Sequence, residues 1–179
     1  AQLTSQLGGY SEREYQSAYS LIYNQTIPTL QQNISNGQLT YETLAKWYLY
    51  RIYKYESNNT TTLNSIISIM PDVIAQAKEK DNQKSSSNHP IYGMPILLKD
   101  NINAMGTPTT AGAVILSNNM TGDATIVKKL KSAGAIILGK TNLSEWAYYF
   151  CSGCPLGYSA IGGQTLNPYG RMIFETGGS

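Results

Sequence analysis

Apolar residues recur at every third or fourth position through the first half of the chain. This periodicity predicts amphipathic helices, each of which buries one face and exposes the other. The predicted helices cover residues 15–22, 27–34, 40–55 and 71–80. Thr40 is a suitable N-cap for the third of them, because a threonine hydroxyl can accept a hydrogen bond from the first turn. The polar, serine-rich residues 81–90 predict a solvated loop.

The period changes in the second half of the chain. Residues 95–99 and 135–139 are short apolar runs, each of which predicts a buried strand. Between them, residues 123–134 predict a helix that is capped by Asp123, and a short further helix is predicted at 143–149. The positions of the first helix that should face inward are Ile126, Val127 and Leu130. A strand, a crossover helix and a second strand predict an α/β fold with a parallel or mixed sheet and helices on both faces.

Composition and charge exclude several classes of protein. The chain of 179 residues is 41% hydrophobic, which is typical of a globular protein with room for one domain or slightly more. The formal charge of +2 is too small and too scattered to predict a nucleic-acid or membrane-surface binder. No apolar run approaches the roughly 18 residues of a membrane span. We therefore expect neither nucleic acid nor membrane among its partners.

The two cysteines, Cys151 and Cys154, form a CxxC pair in a Gly/Pro-rich stretch. Such a pair can be a redox couple, half of a zinc site or a small disulfide loop. Zinc takes four ligands, whereas the chain adds a single distant histidine, His89, which also disfavours a Ser-His-Asp triad. A structural disulfide and two free thiols remain as interpretations. The disulfide, and a start at Ala1 that fits signal cleavage as well as an arbitrary chain start, favour a secreted or periplasmic location.

Lys99 ends the apolar run 95–99 and is followed directly by Asp100 and Asn101. Because α/β proteins place their sites at the carboxyl edge of the sheet, a lysine there is a candidate functional group. Partial burial disfavours the ammonium form and lowers the pKa, which would make Lys99 a general base near neutral pH. The alternative is a lysine that simply reaches solvent beyond the strand.

The chain closes on Gly177, Gly178 and Ser179. Two glycines allow backbone conformations that other residues avoid, and such a turn can present N–H groups or the serine hydroxyl to a ligand. Most Gly-Gly-Ser triplets are flexible loops, so the triplet indicates a site only together with other motifs.

Several blocks together resemble the amidase signature family, in the same order and with similar spacing. They are Gly93–Asn101, Asp123–Leu130, Ala133–Glu145, Asn167–Pro168 and Gly177-Gly178-Ser179. The resemblance covers about residues 30–179. It predicts a mostly helical N-terminal extension at 1–29, followed at 30–179 by the N-terminal part of a single amidase-type domain, whose fold is incomplete in this chain.

The resemblance implies hydrolysis of a small amide or peptide amide by a Ser-Ser-Lys arrangement, without metal or organic cofactor. Lys99 takes the place of the base and Ser179 that of the bridging serine, whose peptide bond is cis in the family. Asp100, Asn101, Gly177 and Gly178 would support the site. The family's nucleophile and oxyanion pocket lie downstream of this loop. We therefore expect residues 1–179 alone to be inert, with the nucleophile supplied by the same polypeptide or by a second chain.

Two alternatives remain at this level. One is an amidotransferase-type subunit that acts on charged tRNA, which the low basic charge disfavours. The other is a non-catalytic module that retains the amidase fold. Lys140 is a weaker catalytic candidate than Lys99, because Thr141 and Asn142 beside it fit better as caps of the following helix.

Overall fold

Residues 2–83, 89–150 and 153–172 are described by the structure, a computed structural model. The chain divides into two units, of which the first combines the described residues of Ala1–Tyr53, Pro71–Ile96 and Lys128–Leu138. The second combines those of Lys54–Met70, Leu97–Val127 and Gly139–Ser179. The predicted boundary between 1–29 and 30–179 is a different division, and it stays a prediction.

The described residues form helices and short strands in the following order. The helices are α1 Gln2–Leu7, α2 Glu12–Ser17, α3 Tyr19–Ile22, α4 Ile27–Ser35, α5 Tyr41–Glu56, α6 Val73–Gln83 and α7 Thr125–Ser132. The strands are β1 Ile66–Ile69, β2 Pro95–Lys99, β3 Ile136–Thr141, β4 Tyr158–Ser159 and β5 Gly163–Gln164. Within this described part, no helix is both long and apolar enough to cross a bilayer.

The predicted helix at 15–22 is two helices, α2 and α3, and its beginning is defined by a capping box. The hydroxyl and backbone N–H of Ser11 both donate to the Glu14 carboxylate at 2.7 Å, and these hydrogen bonds lower the pKa of Glu14. The Ser17 hydroxyl donates to the carbonyl oxygen of Glu14 at 2.8 Å. The N–H of Ala18 shares that acceptor, and α2 ends there.

The N-terminus of α5 is capped twice. Thr40 is the predicted cap, and its hydroxyl accepts a hydrogen bond from the backbone N–H three residues later at 3.0 Å. The carboxylate of Asp81 accepts the first two backbone N–H groups of α5, each at 2.9 Å. The predicted loop 81–90 is therefore wrong at its start, because α6 continues through Gln83 and brings Asp81 to this position. Residues 84–88 of that loop lie outside the described part.

The core of the first unit is built around Trp47 of α5. Its ring stacks on Tyr15 of α2 with 4.8 Å between centroids, and its indole N–H donates to the Tyr15 carbonyl oxygen at 3.0 Å. The Tyr15 hydroxyl accepts a hydrogen bond from Arg51 at 2.9 Å, so the polar atoms of this aromatic pair have partners. Leu44 and Leu49 of the same helix are fully buried. The apolar face that the periodicity predicts runs from Leu44 and Trp47 to Tyr55, and it is correct only in its first half, because Tyr55 is 39% exposed whereas Leu49 lies on another face.

The main sheet has the strand order β1-β3-β2 and is mixed, which confirms the predicted fold class. Strand β1 is antiparallel to β3, with Ser68 opposite Lys140. Strand β2 runs parallel to β3, because the N–H of Ile136 donates to Met94 while the N–H of Asp100 donates to Thr141. A separate antiparallel pair is formed by β4 and β5. The βαβ interpretation of the second half is therefore confirmed.

Helix α7 is shorter than predicted. It begins at Thr125, and Asp123 lies before it and accepts the backbone N–H of Met105 at 2.8 Å. Val127 is buried as expected, but Ile126 is 56% exposed. Successive helical positions are about 100° apart, so these two neighbours point to different faces and the inward orientation predicted for Ile126 is wrong.

Gly139 allows β1 and β3 to approach closely. A Cβ at this position would lie 2.3 Å from the carbonyl oxygen of Ser68 and 3.1 Å from the Cα of Ile69, both backbone atoms. We expect Gly139→Ala to lower the free energy of unfolding of the full-length protein by about 1–3 kcal/mol, because the two strands must separate. Urea unfolding would measure this, with Gly122→Ala as control, since a Cβ at Gly122 meets open space. Equal midpoints for the two variants would contradict the packing argument.

Candidate active site

The carboxyl end of β2 carries Lys99, followed by Asp100 and Asn101. Consecutive side chains of a strand point to opposite faces, and the burial follows this alternation. Leu98 and Asp100 are buried, Lys99 between them is partly buried, and Asn101 is exposed. Lys99 therefore stands at the strand end on the more open face, as the sequence predicts for a candidate base.

Asp100 forms a buried ion pair with Lys140 of β3. The Lys140 ammonium donates to Asp100 Oδ1 at 2.8 Å, and neither side chain is exposed to solvent. Lys140 also donates to the Thr109 hydroxyl at 3.1 Å. The other carboxylate oxygen of Asp100 accepts the backbone N–H and the hydroxyl of Thr110. Both charges are thus paired and hydrogen-bonded, as burial requires.

The turn that follows Thr110 is fixed against the same aspartate. The N–H of Ala111 donates to the Asp100 carbonyl oxygen at 2.9 Å, and that of Gly112 donates to the Thr110 hydroxyl at 3.0 Å. Gly112 has φ +82°, and a Cβ there would lie 2.6 Å from the Cβ of Ser159. Only glycine fits this turn without displacing its neighbour.

Asn142 joins the loop that contains Asn64 to strands β4 and β5 in the second unit. Its amide nitrogen donates to the carbonyl oxygens of Asn64 at 2.9 Å and Gly163 at 3.1 Å. Its amide oxygen accepts the hydroxyl of Ser159 at 2.7 Å and the N–H of Leu143 at 2.9 Å. The expectation that Asn142 caps a following helix is wrong, because the next helical turn begins at Glu145 with Ser144 at its N-cap and no side-chain cap.

The helix predicted at 143–149 is a single 3₁₀ turn at Glu145–Tyr148 with an unusual backbone. Trp146, Ala147 and Tyr148 have φ values of 52°, 54° and 69°, in the left-handed region that non-glycine residues seldom adopt. Periodicity gives no signal for such a turn.

The turn at Trp146 and Ala147 forms one wall of a cavity of about 340 Å³, and Asn101, which follows β2, lies on another wall. The residues that line the cavity are Asn101, Asn103, Asn119 and Thr109 on its polar part and Ala111, Leu116, Trp146 and Ala147 on its apolar part. Amide groups can both donate and accept hydrogen bonds, so this wall suits a ligand that carries amides of its own. The cavity lies in the second unit, together with Lys99 and the ion pair.

The structure brings together part of the predicted site. Lys99, Asp100 and Asn101 lie at one strand end. Gly177, Gly178 and Ser179 lie outside the described residues, as does Cys151. The contact between Lys99 and Ser179, the cis peptide bond at Ser179 and the disulfide between Cys151 and Cys154 therefore stay predictions.

Sequence reasoning missed the partnership of Lys140 with Asp100. The signal was present, because Lys140 continues an apolar run of four residues, Ile136–Gly139, all of them buried. A lysine placed in such a strand must pair with an acid or lose its charge. The acid is 40 positions away, and only the parallel pairing of β2 with β3 identifies it.

Comparison with solved structures identifies the mixed sheet and its helices as an amidase-type α/β fold. An amidase family protein from Bacillus anthracis is 39% identical and superposes with a TM-score of 0.90, covering 95% of this chain and 34% of that one. The native peptide amidase of Stenotrophomonas maltophilia is 39% identical with a TM-score of 0.80, covering 83% of this chain and 31% of that one.

Sequence comparison gives the same result. A probable amidase of Arabidopsis thaliana is 36% identical over 99% of this chain and 35% of its own length. A glutamyl-tRNA(Gln) amidotransferase subunit of Prochlorococcus marinus is 34% identical over 80% of this chain and 29% of its own length. The profile of the Amidase family matches residues 46–179. The chain belongs to the amidase family, and it spans about a third of the length of these relatives.

Proposed function

We propose that the full-length protein hydrolyses the C–N bond of a carboxylic amide. The observation that carries this proposal is the family match over residues 46–179, a range that contains both Lys99 and Ser179. The position of Lys99, partly buried at the carboxyl end of β2, supports it, because this is where α/β proteins place reactive groups.

The proposed chemistry is nucleophilic catalysis by a serine. The nucleophilic hydroxyl attacks the amide carbonyl and loses its proton to Ser179, whose own proton passes to neutral Lys99. The protonated lysine then returns a proton, through the same bridge, to the leaving nitrogen, and water releases the acyl group. We place the nucleophile and the oxyanion donors in the part of the full-length polypeptide that follows residue 179, since the chain spans only 35% of its Arabidopsis relative.

The proposed substrate class is a peptide amide or a small carboxamide. The similarity to a peptide amidase supports this, and so does the cavity, where Asn101 and Asn103 can bind a peptide group through their donors and acceptors beside an apolar wall. The formal charge of +2 gives little electrostatic attraction for a nucleic acid.

The direct test is ammonia release by the full-length protein from a C-terminally amidated peptide, with the same peptide as a free acid for control. We expect release from the amide alone. A second candidate, glutamine-dependent amidation of charged tRNA, is favoured by the similarity to the Prochlorococcus protein. Amidation of the tRNA without hydrolysis of the peptide amide would replace the proposal, and absence of both activities would leave a non-catalytic module.

We also propose a secreted or periplasmic location, with Cys151 and Cys154 joined. Cys154 is partly buried beside an aromatic cavity lined by Trp146 and Phe150. The loop that this bond closes is short, so we expect it to contribute only about 1–2 kcal/mol to stability. Thiol titration of the denatured, unreduced protein should find no free thiol. Two free thiols would exclude the bond and remove the argument for this location.

A further inference from the structure

Burial of the Asp100–Lys140 pair carries a desolvation cost that apolar side chains would not have. Both side chains are fully buried, and burial of charges costs several kcal/mol per ion before their attraction is counted. Apolar residues of similar volume are often as stabilising as a buried ion pair. Packing alone therefore does not account for an aspartate and a lysine at these positions.

Asp100, the residue next to Lys99, is held through both its backbone and its side chain. The N–H of Asp100 donates to Thr141 of β3 at 3.2 Å, and its carbonyl oxygen accepts the N–H of Ala111 at 2.9 Å. The carboxylate binds Lys140 on one oxygen and Thr110 on the other. The residue after Lys99 is thus held by β3 on one side and by the 109–112 turn on the other.

We propose that Asp100 and Lys140 are positioning residues, which hold the backbone next to Lys99 and thereby fix the direction of its amine. This inference rests on the proposed function. Since the two charges neutralise each other, the pair fixes the strand end without adding net charge beside the base. An amine displaced by 1 Å can cost about 10²-fold in rate, so a rigid strand end has a direct catalytic effect.

A purely structural role and a positioning role predict different catalytic rates when both charges are removed. Removing one partner leaves an uncompensated buried charge and lowers stability in either case. Removing both charges together relieves that penalty. If the pair only stabilises the fold, catalysis should recover along with stability, whereas a positioning pair leaves catalysis impaired.

The experiment compares Asp100→Asn, Lys140→Met and the double variant in the full-length protein, with Lys128→Met on the exposed face of α7 as control. Urea midpoints and the kcat and KM for an amidated peptide are measured. We expect both single variants to lose stability. We expect the double variant to be more stable than either single variant, because no charge is left buried without a partner, while its kcat stays at least about tenfold below wild type and its KM changes less than about twofold.

A double variant that regains both the midpoint and kcat would overturn the inference. If the double variant does not fold, Thr110→Val and Thr110→Ser test the inference instead. Valine removes the hydroxyl that donates a hydrogen bond to the Asp100 carboxylate, whereas serine keeps it. Lower kcat for valine than for serine, at equal stability, supports positioning, and equal kcat contradicts it. Failure of the proposed function is recognised separately, because the wild-type protein would then release no ammonia.

Discussion

Lys99→Ala in the full-length protein is expected to lower kcat for amide hydrolysis by about 10²–10⁴-fold, the usual contribution of a general base. In the proposed mechanism the Lys99 amine takes the proton that the bridging serine passes on, and an alanine side chain cannot do so. Lys99 is only partly buried, so the fold should survive the change. The measurement is kcat for an amidated peptide, together with the urea midpoint.

Lys99→Arg distinguishes a role of Lys99 as a base from a role as a fixed positive charge. Arginine keeps the charge but cannot give up its proton in a protein, so this variant should be as slow as alanine. Lys128→Ala, on the exposed face of α7, should retain the wild-type rate. A Lys99→Ala protein with kcat within tenfold of wild type would remove Lys99 from the mechanism.

Lys140→Met is expected to have the largest effect on stability, a loss of about 3–5 kcal/mol. The substitution keeps an apolar stem of similar length but leaves the Asp100 carboxylate buried without its cation. Lys128→Met, a matched change at an exposed position, should alter the free energy of unfolding by less than about 0.5 kcal/mol.

Urea unfolding of both proteins provides the comparison. The difference between their midpoints isolates the buried charge, since both variants lose one lysine and gain one methionine. If Lys140→Met unfolds at the same urea concentration as Lys128→Met, the ion pair does not contribute to the fold as described.

The elements that the sequence predicted correctly are those with a local physical cause. The burial of Leu44 and Trp47, the cap at Thr40 and the strand at 95–99 depend on side-chain spacing and on contacts within one turn. The βαβ order of the second half then predicts the parallel pairing of β2 with β3. The position of Lys99 at the end of β2 follows from the same reasoning, while its role as the base stays a prediction.

The elements that the sequence could not give depend on contacts between distant residues. Asp81 caps α5 from another helix, and Lys140 meets an aspartate from a neighbouring strand. The left-handed turn at Trp146 contradicts local preference, so no periodic pattern indicates it. Tertiary packing determines each of these features, and the spacing of apolar residues along the chain does not predict them.

The role of Lys99 as the base of a serine site is tested most directly with a fluorophosphonate, which forms a bond from an activated serine oxygen to phosphorus as fluoride leaves. We expect the full-length protein to be labelled once, on a serine beyond residue 179 identified by mass mapping, and at least about tenfold more slowly in Lys99→Ala. Absence of labelling, or equal rates in the wild-type and Lys99→Ala proteins, would contradict this role.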